Sequence, residues 1–174
     1  MSWMGPRHTR EVVITDVVVA EAGAKGFGVF ARRDFAEGEF IFRRRYVRYA
    51  TEAEVDALDG WERLHLCELG FDRFAVLGPP GCYLNHSCSP NAMRHGVTVF
   101  AWRPIWAGEE VTIDYRLNAF DGDSWQCRCG ADNCTGVVVG SFFAMDAERQ
   151  RAYLPHAPVF IRREYVRRAA TAAR

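Results

Sequence analysis

The chain has 174 residues, of which 49% are hydrophobic and 13% aromatic, which suits one globular domain and excludes a disordered chain. Its 22 basic and 22 acidic residues balance, so no overall charge points to nucleic acid or to a membrane surface. No apolar run is long enough to span a bilayer, and the first ten residues lack the apolar region of a secretion signal. We therefore predict a soluble intracellular protein, in the cytoplasm or, in a eukaryote, in the nucleus. In such a protein the six cysteines favour metal binding or catalysis over disulfides.

The first fifty residues predict short strands joined by turns. Residues 12–20 are rich in valine and predict a strand, which a glycine-containing turn at residues 23–28 follows. Residues 39–49 predict one or two further strands.

Two helices are predicted next. Thr51, with Glu54 three residues later, has the pattern of a capping box at a helix N-terminus, and Gly60 is expected to end that helix. A second helix is predicted over residues 61–69, with Gly70 after its end.

The second half of the chain predicts more strands than helices. Strands are expected at residues 97–102 and 109–115 and a short one at 137–143, while residues 120–136 contain too much Asp, Gly and Cys for regular structure. A terminal helix is expected from about Val159. Its basic face is formed by Arg162, Arg163, Arg167 and Arg168. Many short strands with few helices predict a mainly β fold.

Residues 85–91 form the most concentrated polar stretch, with the sequence Asn-His-Ser-Cys-Ser-Pro-Asn. They bring amide, imidazole, hydroxyl and thiol groups together, and Pro90 keeps the backbone out of a helix. By itself this composition fits an ordinary polar loop as well as a functional one. Its interpretation depends on the motifs before and after it.

The cysteines near the C-terminal end form the sharpest local pattern. Cys127, Cys129 and Cys134 lie within eight residues of a glycine-containing loop, where their thiols can converge on one ion. A structural zinc site takes four ligands in a tetrahedron, so a fourth must come from elsewhere in the chain. The candidates are Cys88, Cys82, Cys67 and a histidine such as His86. The spacing does not choose among them.

Four motifs follow one another along about 110 residues. They are Lys-Gly-Phe-Gly-Val-Phe-Ala at 25–31, the polar stretch at 85–91, Gly-Glu-Glu-Val-Thr-Ile-Asp-Tyr at 108–115, and the cysteine cluster ending in Cys134-Thr-Gly. Together they resemble the SET-domain protein-lysine N-methyltransferases that have a cysteine-rich post-SET segment. The resemblance implies a mainly β SET fold with several small sheets and a few short helices, in which the 85–91 stretch is threaded like a pseudoknot beneath a neighbouring segment.

The resemblance also suggests how the chain is divided. Residues 12–116 would form the SET domain, residues 120–140 the post-SET zinc-binding segment, and residues 141–174 a C-terminal extension with the basic helix. All three are expected to form one compact unit.

The same resemblance implies an S-adenosylmethionine-dependent enzyme that methylates a lysine side-chain amine of a protein substrate. Tyr115 would be the catalytic residue, because its phenol oxygen would orient the amine for direct in-line displacement. The cofactor-binding residues would be Lys25, Gly26, Phe27, Gly28, Asn85, His86 and Tyr115. Zinc would be held by Cys88, Cys127, Cys129 and Cys134, so it is the resemblance that selects Cys88 as the fourth ligand.

Several positions bear on the substrate. Ile113 lies where many family members have Phe or Tyr, and its lack of a hydroxyl suggests that more than one methyl group can be added. Tyr46 is a second candidate for lining the substrate channel, while Cys82 replaces an arginine that is frequent in the family. Seven acidic residues between positions 52 and 72 favour a basic peptide partner, although a solvated helix face explains them equally well.

Two other functions stay open at this point. One is a catalytically silent SET module that binds a peptide or a protein partner, and the other is a methyltransferase for a small-molecule amine. Membrane binding is not expected, and only the basic C-terminal helix hints at nucleic acid.

Overall fold

The computed structural model describes residues 12–14, 16–120 and 122–172. Within these residues the chain forms thirteen short strands and four α-helices. The strands are β1 Val12–Ile14, β2 Val17–Glu21, β3 Phe27–Ala31, β4 Phe40–Arg43, β5 Arg45–Ala50, β6 Leu66–Gly70, β7 Arg73–Gly78, β8 Asn85–His86, β9 Ala92–His95, β10 Thr98–Ala101, β11 Glu110–Ile113, β12 Ser124–Gln126 and β13 Val137–Val139. The α-helices are α1 Glu52–Val55, α2 Gly60–Leu64, α3 Ala147–Tyr153 and α4 Val159–Ala172.

The strands form four small sheets, which confirms the prediction of a mainly β fold. The largest sheet has the order β1-β2-β3-β11-β8. Two three-stranded sheets have the orders β4-β10-β9 and β5-β7-β6, and β12 pairs with β13 in a two-stranded ribbon.

Strand β11 connects the predicted motifs in space. On one side it pairs antiparallel with β3, with Glu110 opposite Phe30. On the other side it pairs parallel with β8, which places Thr112 opposite Asn85 and Ile113 opposite His86. The first, second and third motifs therefore meet on three adjacent strands, although about 80 residues separate the first from the third.

The region after Thr51 differs in part from the prediction. The Thr51 capping box is present, but α1 ends at Val55, and Gly60 begins the next helix behind the Asp59 cap. Helix α2 ends at Leu64, so the helix predicted over residues 61–69 is wrong beyond that point, where β6 begins. Strand β6 pairs antiparallel with β7, a partner strand that the sequence prediction did not include. Non-local pairing thus overrides the local helical pattern.

The C-terminal part also contains elements that were not predicted, among them strand β12 and helix α3. Strand β12, Ser124–Gln126, lies within residues 120–136, so the expectation of no regular structure there is wrong at these three residues, which pair with β13. Helix α3 begins behind Asp146, whose carboxylate accepts a hydrogen bond from the Arg149 backbone N–H at 2.8 Å. The strand expected at 137–143 is only three residues long, and a 3₁₀ turn, Phe142–Ala144, follows it. The terminal helix from Val159 is confirmed.

The described residues contain three buried apolar clusters, of which the two larger ones hold the sheets and the C-terminal segment together. The first fills the space between the sheets and consists of Val17, Val29, Ala31, Phe35, Ile41, Phe42, Leu84, Ala92, Val99, Ala101, Ile105, Val111 and Ile113. In the second, Met93 and Leu117 pack with Phe142, Tyr153 and Ile161 from the C-terminal segment. Burial of this apolar surface stabilises the attachment of α3 and α4 to the sheets. None of the helices in the described part of the chain is long and apolar enough to cross a membrane.

Candidate active site

Tyr115 borders two separate cavities. It follows directly after β11 and Asp114, where the chain turns into a short 3₁₀ helix, Tyr115–Leu117. One cavity has a volume of about 270 Å³ and the other of about 340 Å³. Of the residues described, Tyr115 alone lines both.

The first cavity is lined by both apolar and polar side chains, of which the apolar ones form the larger part. Its apolar lining residues include Leu64, Leu66, Phe74, Leu77, Leu84 and Ile113. Ile113 is 6% exposed. A wall of this kind suits the aliphatic part of a long side chain.

The second cavity is more polar. It is lined by Ala24, Lys25, Asn85, His86, Tyr115, Trp125, Gln126, Cys127, Arg128 and Cys129. The Trp125 ring contacts His86 edge to face, with 5.5 Å between ring centroids. The cavity thus combines ammonium, amide and guanidinium groups with an aromatic surface, which suits a polar ligand that also has a flat ring.

Asn85 and Lys25 are held by one carboxylate, that of Glu110. The Asn85 amide donates hydrogen bonds to the Phe27 carbonyl oxygen at 2.9 Å and to Glu110 Oε1 at 2.7 Å. Lys25 Nζ forms an ion pair with Glu110 Oε2. A hydrogen bond in which one partner is charged is stronger than a neutral one, so Glu110 fixes both side chains at the cavity wall.

Gly28 leaves room for this group. A Cβ atom at Gly28 would lie 2.6 Å from Glu110 Oε1 and 3.1 Å from Asn85 Nδ2. Real Cβ atoms do not approach other atoms so closely, so any larger residue would displace the pair. The glycine is therefore required by the side chains that pack across it, which is a structural reason for the first motif.

His86 links Tyr115 to Cys88. The backbone N–H of Tyr115 donates to His86 Nδ1 at 3.2 Å, so this nitrogen must be the unprotonated acceptor. The hydrogen of the neutral ring then lies on Nε2, which is 3.4 Å from Cys88 Sγ. Burial lowers the pKa of His86 to about 4, against the opposing effect of the Asp114 carboxylate, so the ring is neutral at pH 7.

The Tyr115 hydroxyl has a defined orientation. It donates to the backbone carbonyl oxygen of Leu84 at 2.5 Å. Because a phenol has one hydrogen and two lone pairs, this bond leaves the oxygen free to accept from another group. Although the residue as a whole is 41% exposed, desolvation of the phenol, together with the Glu110 carboxylate, raises the pKa of Tyr115 to about 12, so the phenol is neutral at physiological pH.

Four cysteines converge beside the second cavity. The sulfur atoms of Cys88, Cys127, Cys129 and Cys134 all lie within 4.8 Å of one another, and those of Cys88 and Cys127 are 3.9 Å apart. Zinc bound tetrahedrally at about 2.3 Å from each sulfur requires sulfur–sulfur distances of roughly 3.8 Å. The cluster therefore fits a closed zinc site, and of the four candidates for the fourth ligand only Cys88 lies in it.

Hydrogen bonds connect Cys88 to the segment that contains the other three cysteines. Asn133 Nδ2 donates to the Cys88 carbonyl oxygen at 3.1 Å, and the Cys88 backbone N–H points to Cys129 Sγ at 3.4 Å. Burial raises the pKa of Cys129, but hydrogen bonds from the Cys88 and Ala131 backbone lower it by more, to about 6. This favours the thiolate at Cys129, whereas burial raises the pKa of the Cys88 and Cys127 thiols, which would have to lose their protons when a metal binds.

The structure brings together most, but not all, of the residues predicted for the site. Lys25, Asn85, His86 and Tyr115 line the second cavity. Gly26, Phe27 and Gly28 do not line it, but Phe27 and Gly28 contact Asn85 from behind. Ile113 lines the first cavity.

Tyr46, the second predicted channel residue, lies outside that cavity. It lines a different one, with Arg94 and His156, and its hydroxyl is 3.4 Å from an Arg44 nitrogen. The prediction rested on an uncertain alignment of the strand that contains three arginines, and Arg44 is the residue of this strand that reaches the first cavity.

Glu110 and Trp125 are among the residues of the site that were not predicted. Glu110 belongs to the third motif, but its role depends on the contact with Lys25 across the sheet. Trp125 lies two residues before Cys127, and only the folded ribbon of β12 and β13 places its ring against His86.

The acidic residues between positions 52 and 72 have local roles. Glu54 and Asp59 cap α1 and α2, Glu62 pairs with Arg48 at 3.0 Å, and Asp72 accepts from the Glu52 backbone. These bonds agree with the solvated helix face that the sequence left open. The basic peptide partner stays a prediction.

Comparison with known proteins shows which family the chain belongs to. The family model described as "SET domain" matches residues 26–116, more than half of the chain. The chain therefore belongs to the SET-domain family.

Two similar proteins have names that state a function. The chain is 32% identical over 143 residues to a histone-lysine N-methyltransferase, H3 lysine-36 specific, of Yarrowia lipolytica, a match that covers 72% of this chain and 18% of that protein. It is 31% identical over 144 residues to the protein of the same name in Candida albicans, which covers 71% of this chain and 17% of the relative. The chain thus spans about a fifth of the length of these relatives.

A solved structure also matches. It is a crystal structure of a candidate histone methyltransferase of Plasmodium falciparum, with 21% sequence identity and a TM-score of 0.48. The alignment covers 59% of this chain and 95% of the other.

Proposed function

We propose that this chain transfers methyl groups from S-adenosylmethionine to a lysine side-chain amine of a protein substrate. The observation that carries the proposal is that Tyr115 borders two cavities, one polar and one with apolar walls. A transfer reaction requires two ligands that meet at one point, and Tyr115 is the residue common to both sites. The names of the relatives, both histone-lysine N-methyltransferases, support this reaction class.

The second cavity is the proposed cofactor site. When bound there, S-adenosylmethionine supplies an electrophilic methyl group on a sulfonium sulfur. Asn85, with Lys25 close by, offers hydrogen-bond donors for the polar end of such a ligand, and Trp125 offers a face for an aromatic ring. Glu110 keeps Lys25 and Asn85 in place.

The first cavity is the proposed lysine site. Its apolar side chains contact the aliphatic stem and disfavour the ammonium form of the amine, because burial in a medium of low polarity destabilises a charge. The Tyr115 oxygen, whose own hydrogen is bonded to Leu84, can accept a hydrogen bond from the amine and orient its lone pair. Orientation of this kind accounts for roughly 7–11 kcal/mol of the barrier in well-aligned reactions.

The cysteine cluster is the proposed zinc site, with Cys88, Cys127, Cys129 and Cys134 as ligands. A bound zinc ion would hold the segment containing Trp125 and Cys127 against the 85–91 stretch. It would be structural, since four protein ligands leave no open coordination position.

The extent of methylation is proposed to exceed one methyl group. Ile113 is buried in the wall of the first cavity and has no hydroxyl that could hold the amine by a hydrogen bond. Mass spectrometry that shows only monomethylated product on every accepted substrate would contradict this.

The proposed activity is tested with labelled S-adenosylmethionine, histone H3 and an array of lysine peptides. We expect label on lysine, and we expect Tyr115→Phe to lower the rate by about 10²-fold, comparable with the loss of one oriented polar group in an active site. Tyr49→Phe, an exposed control, should retain the wild-type rate. Peptide binding without methyl transfer would support a catalytically silent binding module. Label that appears only on small amines would support a methyltransferase for small-molecule amines.

A further inference from the structure

Two buried guanidinium groups line the first cavity together with Tyr115. Arg44 is 4% exposed and Arg94 is 3% exposed. Neither forms an ion pair with a carboxylate of any residue that the structure describes. Buried charges in proteins are normally paired, because the loss of water around them is costly.

The hydrogen bonds of these arginines are incomplete. Arg44 donates to the Gly96 carbonyl oxygen at 2.9 Å and approaches Cys67 Sγ at 3.5 Å, but its Nε has no partner in the described part of the chain. The same is true of Arg94 Nη2. Burial and the neighbouring Arg44 lower the pKa of Arg94 to about 10, against the opposing effects of Cys67, Tyr46 and the Glu68 carboxylate, so Arg94 is charged at pH 7.

One carboxylate, that of Glu68, also lines this cavity. It accepts a hydrogen bond from the Phe120 backbone N–H at 3.2 Å. Two guanidinium groups against one carboxylate leave one positive charge in excess. The cavity is therefore electrostatically suited to a ligand that brings one negative charge.

The Arg44 side chain packs closely against the backbone of Gly81. A Cβ atom at Gly81 would lie 3.1 Å from Arg44 Cγ and 3.2 Å from Arg44 Cβ. Gly81 thus lets the stem of Arg44 pass close to the 3₁₀ turn Gly81–Tyr83. The guanidinium groups of Arg94 and Arg44 thus reach the cavity from β9 and from the junction of β4 and β5.

We propose that Arg44 and Arg94 bind a carboxylate of the methylated substrate, so that the cavity selects a lysine with an acidic group nearby. This inference rests on the proposed function, because it assigns the first cavity to the substrate. A carboxylate suits the site better than a phosphate, since it brings a single charge beside Glu68 and offers two oxygens to the planar guanidinium groups. The carboxylate can come from an acidic neighbour in a peptide or from the α-carboxylate of lysine itself.

Direct binding measurements test the proposal without any methyl transfer. Lysine peptides are prepared in pairs that differ only by Glu or Gln at one position, from two residues before the lysine to two residues after it. Titration calorimetry with the wild-type protein should give at least tenfold tighter binding for the Glu member of one pair. Free lysine and lysine amide form a further pair, which reports on the α-carboxylate.

Variants show whether the two arginines cause the preference. Arg94→Met and Arg44→Met should reduce the Glu/Gln ratio, or the lysine/lysine amide ratio, to below twofold. Arg43→Met, an exposed neighbour on β4, should leave the ratio unchanged. Thermal unfolding verifies that each variant folds, and the wild-type pairs test the proposal even where a variant does not.

The outcomes separate this proposal from the proposed activity. Methylation of lysine peptides with no pair differing by more than twofold in affinity would overturn the anion site and leave the activity standing. A Glu preference that persists unchanged in both Arg→Met variants would also overturn it. An arginine-dependent Glu preference in a protein that never transfers label would support the anion site and contradict the activity.

Discussion

At the scale of single residues, the candidate site depends on side chains whose positions are fixed by hydrogen bonds. The Tyr115 hydroxyl donates to the Leu84 carbonyl oxygen, and the Tyr115 backbone donates to His86. Both ends of the tyrosine are therefore fixed by the 84–86 segment. An enzyme that works by orientation needs this rigidity, because small displacements of the reacting atoms cost large factors in rate.

Gly28 offers a test of the network behind the second cavity. Gly28→Ala forces a methyl group against Glu110 and Asn85, so we expect a loss of about 1–3 kcal/mol in the free energy of unfolding and weaker cofactor binding. Chemical denaturation and calorimetry measure the two effects. Gly60→Ala is the matched control, since a methyl group there meets no atom within 4 Å and is expected to be neutral or slightly stabilising. Wild-type cofactor affinity in Gly28→Ala would disprove the role of this network.

Ile113 offers a test of the product. Ile113→Tyr adds a ring and a hydroxyl to the cavity wall, which should restrict the space for a methylated amine and hold the unmethylated one by a hydrogen bond. We expect the variant to stop at monomethyllysine where the wild type continues, as read by mass spectrometry over a time course. Equal product distributions in the two proteins would show that this position does not set the extent of methylation.

At the scale of elements, the 85–91 segment is connected to both the sheet and the cysteine cluster. Strand β8 pairs with β11, and two residues later Cys88 meets the other three cysteines. His86 lies between them and contacts Tyr115 on one side and Cys88 on the other. A change at the proposed metal site is therefore expected to affect the proposed cofactor cavity, because only a few residues separate them.

Removal of the metal tests whether the proposed zinc site and the proposed cofactor cavity are coupled. Treatment with a strong chelator is expected to lower the melting temperature and to weaken S-adenosylmethionine binding at least tenfold, because Trp125 and Cys127 line the same cavity. Cys134→Ser should reproduce both effects. Cys82→Ser, whose thiol lies in the first cavity, should retain the wild-type cofactor affinity. Unchanged cofactor affinity in the metal-free protein would contradict the coupling.

The terminal helix contains a group whose contribution depends on pH. Arg167 and Arg168 donate to the Glu164 carboxylate and lower its pKa to about 2. Since the unfolded value is about 4.3, folding favours the charged form, and this stabilisation is complete above the unfolded pKa and lost as the pH falls through 2. We expect Glu164→Gln to lower the melting temperature at pH 7, with the difference narrowing below pH 4.

Melting curves from pH 7 to pH 2 measure this difference, with the exposed Glu37→Gln as control. A difference that is constant over the whole range would show that Glu164 acts by packing and not by charge.

At the scale of the whole molecule, the sequence predicts best what depends on local chemistry. The cysteine spacing, the Thr51 cap and the terminal helix all lie within a few residues, and the structure has them as predicted. Strand β6 was predicted as helix because its pairing with β7 is a tertiary contact. The choice of Cys88 needed the family resemblance, since 39 residues separate it from Cys127.

Dependence on contacts between residues distant in sequence also explains why several residues of the site were not predicted. Glu110, Trp125 and the pair Arg44 and Arg94 obtain their roles from residues distant in sequence, and no local pattern marks them. A charged residue within a strand is usually on a solvated face, so burial of two arginines beside one cavity is visible only in the folded chain.

The pairing of β3 with β11 has a consequence for the newly made protein. Strand β3 can pair with β2 as soon as both have left the ribosome. The other edge of β3 stays unpaired until β11 has been synthesised, about 80 residues later. At typical synthesis rates of about 5–20 residues per second, that edge stays open for roughly 4–16 s. During this time its unpaired backbone groups can associate with other chains, so cellular production of this protein should depend on chaperones that shield nascent strands.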